Sequence, residues 1–175
     1  SGGYTYPAYV ALRDAALMPL AAYGPLGSAK PLTIQAGGEA RPGSVMYASH
    51  DFLDLIGVRM SLGRFFVDGE DQHGAPLVAV LSDRVWRRDF NADPGIVGRL
   101  IHVRDKTVEI IGVVPRSFHG LEVGRAPDLL LPLHAIEQIE SYPDLFGEHP
   151  VLHWVDPVGR LPDGVSIQEM EARLN

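Results

Sequence analysis

Five consecutive apolar residues, Leu77, Val78, Ala79, Val80 and Leu81, constrain the fold more than any other stretch of this chain. In an extended strand successive side chains point to opposite faces, so a strand that is apolar at every position leaves no face for water. Such a strand belongs inside a sheet that is covered on both sides. A chain of 175 residues can supply that cover as one domain, or as two small lobes that share a core.

The flanking patterns predict where the cover comes from. Residues 6–16 read as a helix: Thr5 can cap it, Pro7 suits its first turn, and Tyr9, Leu12 and Ala16 share a face. Short strands are expected over 18–23, 32–36 and 44–48. Ser49 is the expected cap of a short helix through Leu55, with Gly57 just past its end. Residues 57–66 are expected to be extended and broken at Gly63, and 68–74 to form a polar turn. A short helix over 83–90 carries Val85, Trp86 and Phe90. Alternation over 99–104 places Ile101 and Val103 on one face, and Asp105-Lys106 is the expected turn into a strand over 108–114. A strand over 126–133, a helix over 134–141 and a strand over 151–161 interrupted at Pro157 follow. Ser166 and Glu169 fit a capping box, with Ile167, Met170 and Leu174 as the apolar stripe of a last helix. With 19 Gly and 14 Pro, the elements are expected to be short and the turns many.

This order implies an α+β fold with two lobes. Residues 4–66 and 116–175, the two ends, would pair into one α+β lobe. Residues 67–115 would form a small β-rich lobe inserted in it. The absence of an initiator Met, the Ser-Gly-Gly start and an end inside a helical pattern suggest a piece cut from a longer protein.

Composition removes several function classes. The net charge is −7 and the only lysines are Lys30 and Lys106, so nucleic acid is not an expected partner. Zero Cys removes disulfides, thiolate zinc sites and Cys nucleophiles. No apolar run reaches the ~18 residues of a membrane span. The phosphate-loop, dinucleotide and nucleophile-elbow glycine motifs are all absent.

What remains are weak clusters, each with an ordinary explanation. Asp68, Glu70, Asp71 and His73 crowd one turn, as a hard cation would need, but the spacing is not that of a calcium loop and polar turns are common. His149 and His153 are four apart, yet Pro150 lies between them; in a strand that separation is ~13 Å, too far to share one zinc ion. His50-Asp51 or His119 could serve Ser82 or Ser117 in a hydrolytic triad, which only space can decide. Arg84, Arg87 and Arg88 share a helix that could face an anionic partner or lipid headgroups, or simply water. Trp86 and Trp154 are expected core anchors. The residues by themselves therefore point to a non-catalytic module with no cofactor and no metal. A secreted or periplasmic hydrolase and a soluble ligand-binding module remain as alternatives.

Several stretches, taken in order, resemble one family. YPAYVALRDAA at 6–16, YASHDFLDLIGVRMSLGRFF at 47–66, VAVLSDRVWRRDF at 78–90 with DPGIVG at 93–98, VEIIGVVP at 108–115, APDLLLPL at 126–133 and VGRLPDGVSIQEMEARL at 158–174 are similar to the periplasmic core domain of MacB/FtsX-like ABC transporter permeases. The insert SFHGLEVGRAPD at 117–128 resembles the subgroup of duplicated orphan permeases.

The resemblance implies a porter-like lobe built from both ends plus a smaller inserted lobe. It implies a parent with four membrane helices per core unit and this domain between the first and second. It implies a cytoplasmic ATPase domain or subunit, a second permease copy in a dimer and, in some members, a periplasmic adaptor. Its function would be to carry ATPase-driven helix movement to the periplasm for export or extraction of a substrate. Such a lever needs packed lobes that move as bodies, with bending at hinges expected at 67–69 and 115–116. The residues expected to hold the architecture are Gly57, Gly63, Arg64 and Phe66, and around the small lobe Trp86, Asp93, Pro94 and Gly98. Arg64 is long enough to tie two segments through a carboxylate.

Overall fold

The apolar run becomes a central strand, and the rest of the chain is arranged around it. The computed structural model describes residues 3–15, 18–24, 32–36, 38–122, 124, 126–140, 142, 144–147, 152–166 and 168–169. His149, Ile167, Met170 and Leu174 lie outside the described residues. The elements in chain order are α1 (Tyr6–Ala15), β1 (Leu20–Tyr23), β2 (Leu32–Ala36), β3 (Glu39–Gly43), β4 (Val45–Ala48), α2 (Phe52–Ile56), β5 (Leu62–Gly63), a 3-10 turn (Asp68–Glu70), β6 (Val78–Leu81), α3 (Asp83–Phe90), β7 (Leu100–Val103), β8 (Lys106–Val113), β9 (Leu129–Pro132), α4 (Ala135–Glu140) and β10 (Asp156–Gly159).

The ten described strands form one curled, mixed sheet in the order β10-β1-β4-β9-β6-β8-β7-β2-β3, with β5 paired to β8. The fold is α+β. The apolar strand β6 lies parallel to β8 and antiparallel to β9. The pair β4 and β9 is also parallel. Strands from both ends of the chain meet: β1 pairs with β10, and Tyr4 bridges to Val155. Strands of the central segment join the others on two sides, through β6 to β9 and through β7 to β2.

Period-two alternation divides the core into two layers. Val45, Tyr47, Ala79, Leu81, Leu129 and Leu131 face one side, with Tyr9 of α1, Val85 and Phe90 of α3, and Ile136 and Ile139 of α4 packed on them. Met46, Ala48, Val78, Val80 and Leu130 face the other, under Phe52 and Leu53 of α2 and under Phe66. All four residues of β4, β6 and β9 are buried. Each Val, Leu or Ile so buried contributes on the order of 1.5–3 kcal/mol, which is why the sheet centre anchors the fold.

Several local expectations differ from the structure. Ser49 does not cap α2; Asp51 occupies that position without a side-chain cap bond. The Ser49 hydroxyl instead accepts from the Ala22 amide at 2.9 Å and donates to Asp51 at 2.5 Å, tying α2 to β1. The tight turn after β7 is Arg104-Asp105, one residue earlier than expected, because Val103 pairs with Lys106. Arg104 takes the left-handed conformation there, with φ of 55°. Pro157 does not interrupt β10 but sits inside it opposite Ala22. A proline is tolerated there because β10 is an edge strand. The strand β3, Glu-Ala-Arg-Pro-Gly, has no apolar alternation to reveal it, and its first four residues are exposed.

Candidate functional site

Most of the residues expected to hold the architecture lie at turns around the sheet. Gly57 ends α2 in the left-handed region at φ 75°, and its amide closes the helix on the Asp54 and Leu53 carbonyls. Beside it, Arg160 donates from Nε to the Leu55 carbonyl at 2.8 Å. A cation at a helix C-terminus is electrostatically favourable there. Gly63 has φ 64°, and a Cβ on it would collide with the Ile111 carbonyl oxygen, so β5 can approach β8 only through glycine.

Arg64 follows directly. Its Nη1 and Nη2 donate to Glu70 Oε2 and Oε1 at 2.8 and 2.7 Å, a two-pronged pair. Glu70 also accepts from the Val67 amide at 3.1 Å. Arg64 and then this amide hold the Glu70 carboxyl below its usual range, against the opposing effect of burial. Phe66 is buried in the second core layer, with its ring centroid 4.1 Å from that of Phe65.

On the other side of the sheet, α3 leads into a looped return. The Ser82 hydroxyl accepts from the Val85 amide at 3.2 Å and caps the helix. Trp86 is half-buried rather than fully enclosed, and its indole N–H donates to the Asp93 carbonyl at 2.8 Å. Asp93 Oδ1 accepts from the Gly95 amide at 2.9 Å and Oδ2 from Arg99 at 3.2 Å. Pro94 is exposed at the turn, Ile96 plugs the core, and Gly98 at φ 88° bonds to the Ile110 carbonyl at 2.7 Å. Trp154 is buried among Tyr6, Phe146 and the first core layer.

The polar turn is occupied by internal ties. Glu70 is held by Arg64, as above. Asp71 is buried and accepts from the His134 amide at 3.1 Å, with His134 Nδ1 3.2 Å away. His73 Nδ1 lies 2.6 Å from Glu137. His50 and Asp68 are 3.8 Å apart. These side chains fasten the turn to α4 and the start of α2, and among the described residues no group of three His, Asp or Glu could hold a metal ion. Burial and the nearby Asp71 carboxylate push the Tyr6 phenol up to about 12.

The proposed triad members are not brought together. Ser82 is a helix cap, and Ser49 takes Asp51. His119 and His153 are exposed, and neither has a side-chain hydrogen bond or ion pair with another described residue. Arg84, Arg87 and Arg88 each have a carboxylate: Asp128 at 2.6 Å, Asp83 at 2.8 Å and Asp89 at 2.7 Å.

Two acidic residues missed in the sequence organise the interior. Buried Asp128 accepts from Ser44 and Arg84, joining β4, β9 and α3. Glu140 accepts from the Tyr47 hydroxyl at 3.3 Å and from Arg104 at 3.2 Å. Burial, then the Glu140 charge, raise the Tyr47 phenol well above its usual range. Neither carboxylate differs in sequence from an ordinary surface acid; only the topology brings their partners close.

No helix among the described residues is long and apolar enough to cross a membrane. The family described as MacB-like periplasmic core domain matches residues 1–175. No curated protein matches the chain. Among solved structures, the periplasmic region of MacB from Actinobacillus actinomycetemcomitans superimposes with a TM-score of 0.71 at 14% identity, over 99% of this chain and 72% of that one. The extracellular domain of the noncanonic ABC-type transporter YknZ from Gram-positive bacteria gives 0.68 at 13% identity, over 97% and 78%.

Proposed function

We infer the role of the chain from its family and its geometry together: it belongs to the MacB-like periplasmic core domains. On that premise it is the extracytoplasmic, non-catalytic part of an ABC transporter permease. It passes movement of membrane helices, driven by a cytoplasmic ATPase domain or subunit, to the far side of the membrane. A second permease copy completes a dimer in this reading, and a periplasmic adaptor is a further candidate partner.

The observation that carries the reading is the sheet itself. Its central strands β4, β6 and β9 are buried on both faces, and hydrogen bonds run unbroken from β10 to β3. A close-packed layer of this kind resists shear and transmits displacement. The first and last described strands lie side by side, which suits a domain moved by two flanking membrane helices. The ends-plus-insert division, 4–66 and 116–175 against 67–115, fits a porter-like lobe carrying a smaller one. The hydrogen-bonded seams on both sides of the insert oppose bending at 67–69 and 115–116. The two lobes therefore work largely as one stiff body, with Gly57, Gly63, Arg64, Phe66, Trp86, Asp93, Pro94 and Gly98 as the residues that keep its turns fixed.

Reading the parent gene on either side of this segment tests the placement. An apolar run of about 20 codons is expected close to each end. Polar, soluble sequence on both sides would overturn it.

A further inference from the structure

The three arginines of α3 line one wall of a groove of about 550 Å³. The remaining lining includes Asp83 of α3 and, from the loop after β8, Arg116, Phe118 and Pro127. This volume is in the range of small-ligand sites. We propose that the groove binds a phosphate ester, with its phosphate held between α3 and Arg116 and its organic part against Phe118 and Pro127.

The guanidinium donors of α3 are only partly used. A guanidinium carries five N–H donors. Arg84 reaches Asp128 through Nη2, and Arg87 reaches Asp83 through Nε. Arg88 uses Nε and Nη2 on Asp89. The three carboxylates fix the orientation of these side chains and leave most of their donors unused. All three are substantially exposed, with 58%, 57% and 42% of the side chain accessible. Residues 84, 87 and 88 are spaced i, i+3, i+4, so they share a helix face.

Arg116 is exposed and has no ionic or hydrogen-bond partner among the described residues, which makes it the surplus cation of the groove. Four arginines against the three carboxylates Asp83, Asp89 and Asp128 leave a local excess of one positive charge on a chain of net charge −7, which favours an anion at one place on a surface that repels it elsewhere. A carboxylate offers two oxygens, which one guanidinium fork satisfies. A phosphate monoester offers three oxygens and nearly two charges, matching several forks from α3 and the loop after β8. The half-buried Phe118 and buried Pro127 give an apolar surface that inorganic phosphate alone would not use.

The test titrates the 175-residue chain with phenyl phosphate and with inorganic phosphate by calorimetry and amide NMR, and sediments it with phosphatidic acid and phosphatidylcholine vesicles. Saturable binding is expected, tighter for phenyl phosphate, with shifts confined to the amides of 84–88 and 116–119. Arg87→Gln and Arg116→Gln should each weaken it about tenfold, a change of 1.4 kcal/mol, while the thermal midpoint stays put. If the chain also sediments with phosphatidic acid vesicles and the two variants abolish this, the ester is a lipid headgroup. If phenyl phosphate binds and the vesicles do not, it is a soluble ester. No binding of phenyl phosphate, vesicle binding without it, or binding that both variants leave unchanged would each overturn the proposal.

Discussion

At the scale of single residues, glycine separates two kinds of constraint. Gly63 and Gly98 both have positive φ, but only Gly63 is crowded, against the Ile111 backbone. Gly98→Ala should therefore cost only the left-handed backbone penalty, about 1–2 kcal/mol. Gly63→Ala should cost more, on the order of 3 kcal/mol or above, since β5 must also move off β8. Urea denaturation of the two variants checks the order. Arg64→Ala removes an exposed but two-pronged pair, and a loss of about 1 kcal/mol is expected, lowering the melting temperature by roughly 2–4 °C. The folded Glu70 carboxyl lies below its unfolded value, so this contribution is complete above about pH 4.3 and fades as the pH falls through the folded value. Melting curves of wild type and variant should converge in acid. A gap that stays constant down to pH 2–3 on the acid side of that range would remove Glu70 from the account. The Arg64 side chain was legible because its length and position suggested a tie. Asp128 and Glu140 were not, because their partners lie 44 and 84, and 36 and 93, residues away along the chain.

At the scale of elements, legibility followed periodicity. The apolar run of β6 and the amphipathic α3 matched their predicted positions because one pattern, all-apolar or i, i+3, i+4, dominates each. Edge elements were less readable. β3 and β10 carry Pro42 and Pro157 and few apolar residues, and the packing that selects an extended conformation there comes from the neighbouring strand alone. Those prolines also blunt both free edges of the sheet against pairing with other chains. The helix α3 depends on its cap: Ser82→Ala should cost about 1 kcal/mol, and Ser82→Asp should restore most of it. Chemical denaturation of both variants tests this, and an alanine variant as stable as wild type would mean the cap is dispensable.

At the scale of the whole molecule, the mixed α+β class and the joining of both ends could be read from element order. The continuity of the sheet across the insert could not, since the β9–β6 and β7–β2 seams join segments far apart in sequence. That continuity is what makes the domain a stiff transmitter in the reading proposed here. The chain has no Cys, so thiol labels can be introduced in it selectively. Exposed Leu100 of the insert and Leu152 of the C-terminal segment are suitable positions. The decisive measurement is pulsed electron spin resonance on the parent permease, nucleotide-free and ATP-trapped. One copy would carry Leu100→Cys and Leu152→Cys labels, and in a second sample each copy would carry Leu152→Cys alone. A stiff transmitter keeps the distance within one copy fixed while the distance between copies changes. A change within the copy, with the spacing between copies constant, would contradict it.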